Sequence, residues 1–168
     1  MDDIYGQLNE LREEIMNKVV TNQDLLKFLY YCDTNDVLSQ PNLNRTQRQS
    51  LIDTQIFKYK RMPLNNETST KCFLSMQFGK VGRSMKNPFW MQPYFEFTIV
   101  CPNAILETNV GDRMLAIEQC LTDSFEFQDV GSVGTVRISG SINENCDSGY
   151  SARVVQLYFI DWIERNEK

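Results

Sequence analysis

Tyr94-Phe95-Glu96-Phe97-Thr98-Ile99-Val100-Cys101 and, ten residues on, Gly111-Asp112-Arg113-Met114-Leu115-Ala116-Ile117 decide the fold of this chain. In the first stretch Phe95, Phe97, Ile99 and Cys101 occupy every second position, the period of a strand with one buried face, and Pro102 ends it. In the second the period changes. Met114, Ile117, Leu121 and Phe125 recur at three, four and four residues, which predicts a helix packing by one stripe on a sheet, with Leu115 beside the stripe.

Outward from this pair the strand patterns repeat. Upstream, Lys71 to Phe78 places Cys72, Leu74, Met76 and Phe78 on one face, so two neighbouring antiparallel strands precede the helix. Downstream, Gly131 to Gly134 reads as a turn and Val133 to Asn143 as a third strand, in which Val136, Ile138 and Ile142 alternate with Thr135, Arg137 and Ser139. A fourth strand runs from Ala152 to Trp162, with Val155, Leu157 and Phe159 on one face and Val154, Tyr158, Ile160 and Trp162 on the other. A strand apolar on both faces is covered twice. The order β-β-α-β-β predicts an α+β fold: an antiparallel four-stranded sheet packed on one amphipathic helix and preceded by N-terminal helices.

Ahead of this core, Ile4, Leu8, Leu11, Ile15 and Val19 line one face of a helix from Asp3 to Val20. Thr21 to Asp24 reads as a variant capping box that opens a second helix, Gln23 to about Cys32, apolar almost all round. Asn44 to Ile52 adds a short helical segment, and Ile56 to Met62 is a short strand ended by Pro63. The expected organisation is an N-terminal helical segment, residues 1–53, joined to an α+β core, residues 54–168, as one compact unit.

Composition narrows the chemistry. Among 168 residues, 17 basic against 22 acidic side chains give a net charge of −5, a poor balance for a protein whose work is gripping phosphate backbones. The chain contains no histidine, which removes the commonest general base and the commonest nitrogen ligand of zinc. Its five cysteines, Cys32, Cys72, Cys101, Cys120 and Cys146, lack metal-ligand or disulfide-framework spacing, and Cys72, Cys101 and Cys120, inside apolar patterns, read as small buried hydrophobes in a reducing cytosol. The acidic opening Met1-Asp2-Asp3 does not read as a signal peptide, and no apolar run has the length of a membrane span. The expectation is a protein without catalytic residues, metal or cofactor.

The segment Gly79 to Pro93 is long for a hairpin turn and mixes Lys80, Arg83 and Lys86 with the adjacent pair Phe89-Trp90. Its Gly79-Lys80-Val81-Gly82-Arg83-Ser84 lacks the spacing of a phosphate loop. Cations interleaved with aromatics fit a nucleic-acid patch, whereas a long loop ending in Phe-Trp fits an arm that crosses a subunit boundary or faces a conduit. The second reading makes Lys80, Arg83, Lys86, Phe89 and Trp90 a candidate subunit-interface or conduit loop.

The element order, the strand Phe95-Glu96-Phe97-Thr98-Ile99-Val100, the helix from Gly111 to Phe125 with Arg113 just inside it, and the closing strands together resemble the neck and tail-terminator proteins of tailed bacteriophages. The resemblance implies a structural virion subunit, assembled in the host cytoplasm, that forms a homo-oligomeric ring, usually a hexamer, at the head-proximal end of the tail. Such a ring ends tail growth and joins the tail to the head connector. It implies as partners other copies of the chain, neighbouring neck, connector or tail tube proteins, and double-stranded DNA passing without specific binding, with no membrane. An acidic wall suits that passage, because it repels the duplex. The N-terminal helices exceed what a minimal terminator needs, which leaves open a head-closure or connector-adaptor protein, and the loop leaves open a small accessory nucleic-acid-binding protein.

Overall fold

A curled six-stranded mixed sheet, and not the expected four-stranded antiparallel one, organises the chain. The computed structural model describes residues 4–61, 70–78, 82–83, 91–92, 94–130, 134–146 and 149–159. In chain order the elements are α1 (Ile4–Thr21), α2 (Gln23–Tyr30), α3 (Arg45–Leu51), β1 (Ile56–Phe57), β2 (Phe73–Phe78), β3 (Gly82–Arg83), β4 (Met91–Gln92), β5 (Tyr94–Pro102), β6 (Glu107–Thr108), β7 (Gly111–Asp112), α4 (Arg113–Phe125), β8 (Asp129–Val130), β9 (Gly134–Glu144) and β10 (Tyr150–Phe159). The sheet runs β1-β2-β5-β10-β9-β8, while β3–β4 and β6–β7 form two small separate ribbons.

The four long strands lie where the alternation places them and pair antiparallel, but β10 inserts between β5 and β9. The edge strands span two residues each: β1 is the start of the strand expected over Ile56 to Met62, shortened to Ile56 and Phe57, and β8 is too short for any period to show. β1 is also parallel to β2, which makes the sheet mixed. It is held there by Gln55, whose backbone carbonyl accepts from Leu74 N–H at 2.7 Å and whose side-chain amide donates to Leu29 O at 2.5 Å and Cys72 O at 3.0 Å.

One irregularity overturns a reading of the third strand. Leu157 pairs with Ile138, but the preceding Gln156 pairs with Gly140, so Ser139 is an extra residue, a β-bulge. Because side chains alternate, one inserted residue moves everything beyond it to the opposite face. Val136 is fully buried, whereas Ile142, expected on the same face, is 62% exposed. Gly140 carries φ of 155° at the bulge, a backbone region that favours glycine.

The helices cover the inner face of the sheet. From α1, Leu11, Ile15 and Val19 are buried, and from α4 the predicted Met114, Ile117, Leu121 and Phe125. Leu115, beside that stripe, is instead 51% exposed. α2 buries Leu25, Leu26, Phe28 and Leu29 in the same continuous core as the sheet residues Phe95, Phe97, Val155 and Phe159. Each such side chain contributes roughly 1.5–3 kcal/mol by removal from water. Phe125 joins helix to sheet, with ring centroids 6.0 Å from Phe95 and 5.5 Å from Phe97. The cap of α2 is Asn22, whose side chain accepts from Leu25 N–H at 3.0 Å, and not Thr21, whose hydroxyl turns back to Asn17 O and Lys18 O at the end of α1. An Asn carbonyl in extended backbone reaches the free N–H groups; a Thr still inside the preceding helix does not. Asn44 caps α3 with a reciprocal box to Gln47.

The outer face of the sheet is graded. Phe73, Val100 and Ala152 form a small buried apolar cluster in one row across three strands. Two rows further, Glu96 accepts from Gln77 and from Gln156, each at 2.8 Å. β10 is accordingly buried on both faces, Val155 and Leu157 inward, Ala152 and Val154 outward.

Candidate functional site

The loop expected to act at a subunit boundary falls largely beyond what the structure describes. Lys80, Lys86, Phe89 and Trp90 lie outside the described residues. Arg83 belongs to β3, where Gly82 pairs with Gln92 and Arg83 with Met91. A segment expected to be free of strand therefore carries a short ribbon, which two-residue pairing makes invisible to periodicity.

Arg113 is the most constrained polar group in the described structure. Its side chain is fully buried, and among the described residues no carboxylate is paired with it. Nε donates to Ile105 O at 2.8 Å, Nη1 to Phe28 O at 3.0 Å and Tyr31 O at 3.1 Å, and Nη2 to Thr34 O at 3.0 Å. Helix ends leave carbonyls without partners, and those of α2 point into the interior. A planar fork with five donors reaches several of them at once, and its charge sits favourably at the negative end of the α2 dipole. Lys27, also buried, donates in the same way to Leu38 O at 3.1 Å. Both cations are spent on backbone carbonyls of α2 and of the loops around it. The sequence marked Arg113 by position; its burial follows from where the α2 carbonyls end.

The thiols of Cys32, Cys72 and Cys120 stay protonated at neutral pH. Cys72 and Cys101 are fully buried with sulfurs 2.7 Å apart, and Cys32 lies against Cys72. Burial, then the hydrogen bond with Cys101, pushes the Cys72 thiol well up, and the hydrogen bond with Cys72 does the same for Cys32. Cys120 is pushed up to about 11 by burial, helped by the negative charges of Asp24 and Asp123. A nucleophilic cysteine needs the opposite shift. Among the described residues no group of three or more Cys, Asp or Glu is placed to hold a metal ion. A polar hollow beside the start of α4 contains Arg153, but that arginine is tied to Glu118, to Asn143 Oδ1 at 2.9 Å and to Ser141 Oγ at 2.7 Å.

What the surface does offer is an apolar groove of about 530 Å³ between α2, the β6–β7 ribbon and the first half of α4. Leu38, Val110 and Leu115, exposed by 39%, 50% and 51%, line it together with Phe28 and Ala116. Asp24 and Asp112 stand at its rim, and no lysine or arginine is among the lining residues. Beyond the far end of α4, Phe127 is 62% exposed with the Arg137 guanidinium 4.8 Å from its ring centre. No sequence period marks the groove, because its side chains come from a loop, a ribbon and the margin of a helical stripe. Among the described residues no helix is long and apolar enough to cross a membrane.

No curated protein matches the chain. A family model, YomW, matches residues 22–159, from the Asn22 cap of α2 to the last residue of β10, and so spans the whole sheet with α2, α3 and α4. That family takes its name from a gene product of a Bacillus prophage region. With more than half of its length matched, the chain belongs to the YomW family and is a phage-related protein.

Proposed function

We propose that this chain is a structural virion protein of the phage neck or tail end, which forms a ring around the DNA path, terminates the tail and joins it to the head connector. The observation that carries the reading is the apolar groove: three large apolar side chains, Leu38, Val110 and Leu115, exposed together on one face. Clustered exposure of this kind marks an interaction surface, since single exposed apolar residues are ordinary but contiguous ones are not. Membership in a phage-related family supports the setting, and the protonated thiols of Cys32, Cys72 and Cys120, with Arg113 and Arg153 already engaged, support a part that binds other proteins. The net charge of −5 suits a conduit wall that DNA passes without adhering.

Quantitative mass spectrometry of purified virions from the phage carrying this gene tests the reading. The chain is expected in the particles at a small fixed copy number, far below the capsid and tube subunits. Absence from the particles sinks it.

A further inference from the structure

The groove runs along α4 from Asp112 to Cys120, and the exposed aromatic lies just beyond the last residue of that helix. Leu115 lines the groove, and Phe125 ends α4 about 15 Å away at 1.5 Å per residue. Phe127, two residues further, takes φ of 57°, the left-handed region that bulky residues rarely occupy. Its backbone is held there by hydrogen bonds from Phe127 N–H to Val136 O at 2.9 Å and from Gln128 N–H to Phe125 O at 3.0 Å. The structure thus holds a large aromatic, in a conformation that bulky residues rarely adopt, largely exposed at the end of α4. Arg137 covers one face of the ring and makes a loose ion pair with Glu126, at 3.7 Å.

We propose that Phe127 and Arg137 of one copy dock into the groove of the next, the ring against Leu38, Val110 and Leu115, the guanidinium against Asp24. Charge complementarity selects a second copy as occupant: the groove has acidic residues and no cation in its lining, and the exposed aromatic carries an arginine on its face. Asp112 already accepts from Met114 and Leu115 N–H to cap α4, which leaves the exposed Asp24 to meet the incoming charge. Aromatic residues and arginine are the side chains that dominate association energetics. Because knob and groove are different surfaces, the contact is head-to-tail, the kind that closes into a ring when the rotation between copies allows. The inference rests on the ring reading and names its joint.

The test uses the full chain with a benzophenone amino acid in place of Phe127, mixed with ¹⁵N-labelled copies, irradiated and mapped by mass spectrometry. Crosslinks between copies, onto peptides containing Leu38 or Val110 to Leu115, are expected. Crosslinks within one copy, or onto any other segment of a second copy, including residues 79–93, overturn the proposal, as does a chain that stays monomeric at millimolar concentration. Phe127→Gly supplies a second arm. Glycine suits the positive φ, so the melting temperature is expected to hold or rise while self-association weakens roughly tenfold or more; unchanged association refutes the docking. Asp24→Arg and Arg137→Asp should each weaken association and together restore it, and a double variant no better than the singles removes the arginine from the joint. A chain found in virions but crosslinked elsewhere refutes this joint and leaves the neck reading standing.

Discussion

Replacing Arg113 by methionine removes a buried cation of similar length and leaves four carbonyls, those of Ile105, Phe28, Tyr31 and Thr34, without their donors. A buried acceptor left unsatisfied costs about 1–3 kcal/mol, so even the lower bound sums to about 4 kcal/mol. Methionine also spares the desolvation of a charge, which offsets part of the loss. The net expectation is a destabilisation of about 3 kcal/mol, a large share of the roughly 5–15 kcal/mol that holds a domain together. Lysine makes the sharper comparison. It keeps the desolvation cost but offers one point of donation where the guanidinium spans four acceptors, so Arg113→Lys should lose at least as much as Arg113→Met. Equilibrium urea unfolding followed by circular dichroism reads both, with an unchanged denaturant slope showing that the midpoint shift is a stability change. A methionine variant within about 1 kcal/mol of the parent, or a lysine variant that matches it, would refute the view that this fork anchors α2.

Other expectations follow from the same packing. Phe125→Ala empties the contact with Phe95 and Phe97 and should cost about 3–5 kcal/mol in the same unfolding assay. Gly140→Ala meets no atom within 4 Å, so its expected loss of about 1 kcal/mol comes from the backbone at φ of 155° alone, and a neutral result in urea titration contradicts the strain argument. Stability should fall on the alkaline side: the Cys120 thiol, ordinarily at 9.0, is raised to about 11, so through that window the unfolded chain has released a proton that the folded chain keeps. Urea midpoints from pH 8 upward measure the fall, and Cys120→Ala should make it shallower.

Much of this fold is legible in the sequence because burial and period coincide. The stripe Met114, Ile117, Leu121 and Phe125 and the alternation in β2 and β5 are repeated often enough to identify helix and strand. The sheet's true width is not legible: the strand read at Ile56 joins the sheet through Gln55 and Leu74, nineteen residues apart, and β8 offers only two residues, paired locally with the start of β9. The bulge at Ser139 is equally silent, yet it decides that Ile142 faces outward. Site features fare worse. Leu115 reads as a neighbour of the buried stripe and becomes a groove wall only because the β6–β7 ribbon sets Val110 beside it. Phe127 looks like one more apolar residue after a helix until its positive φ and exposure are seen together.

The most direct measurement of the central claim is a cryo-electron microscopy reconstruction of the neck in purified virions. The account predicts a ring at the junction of tail and head connector into which this six-stranded fold fits, its negative surface toward the DNA path. A junction fully accounted for by other proteins, with this chain absent from the particle, would contradict it.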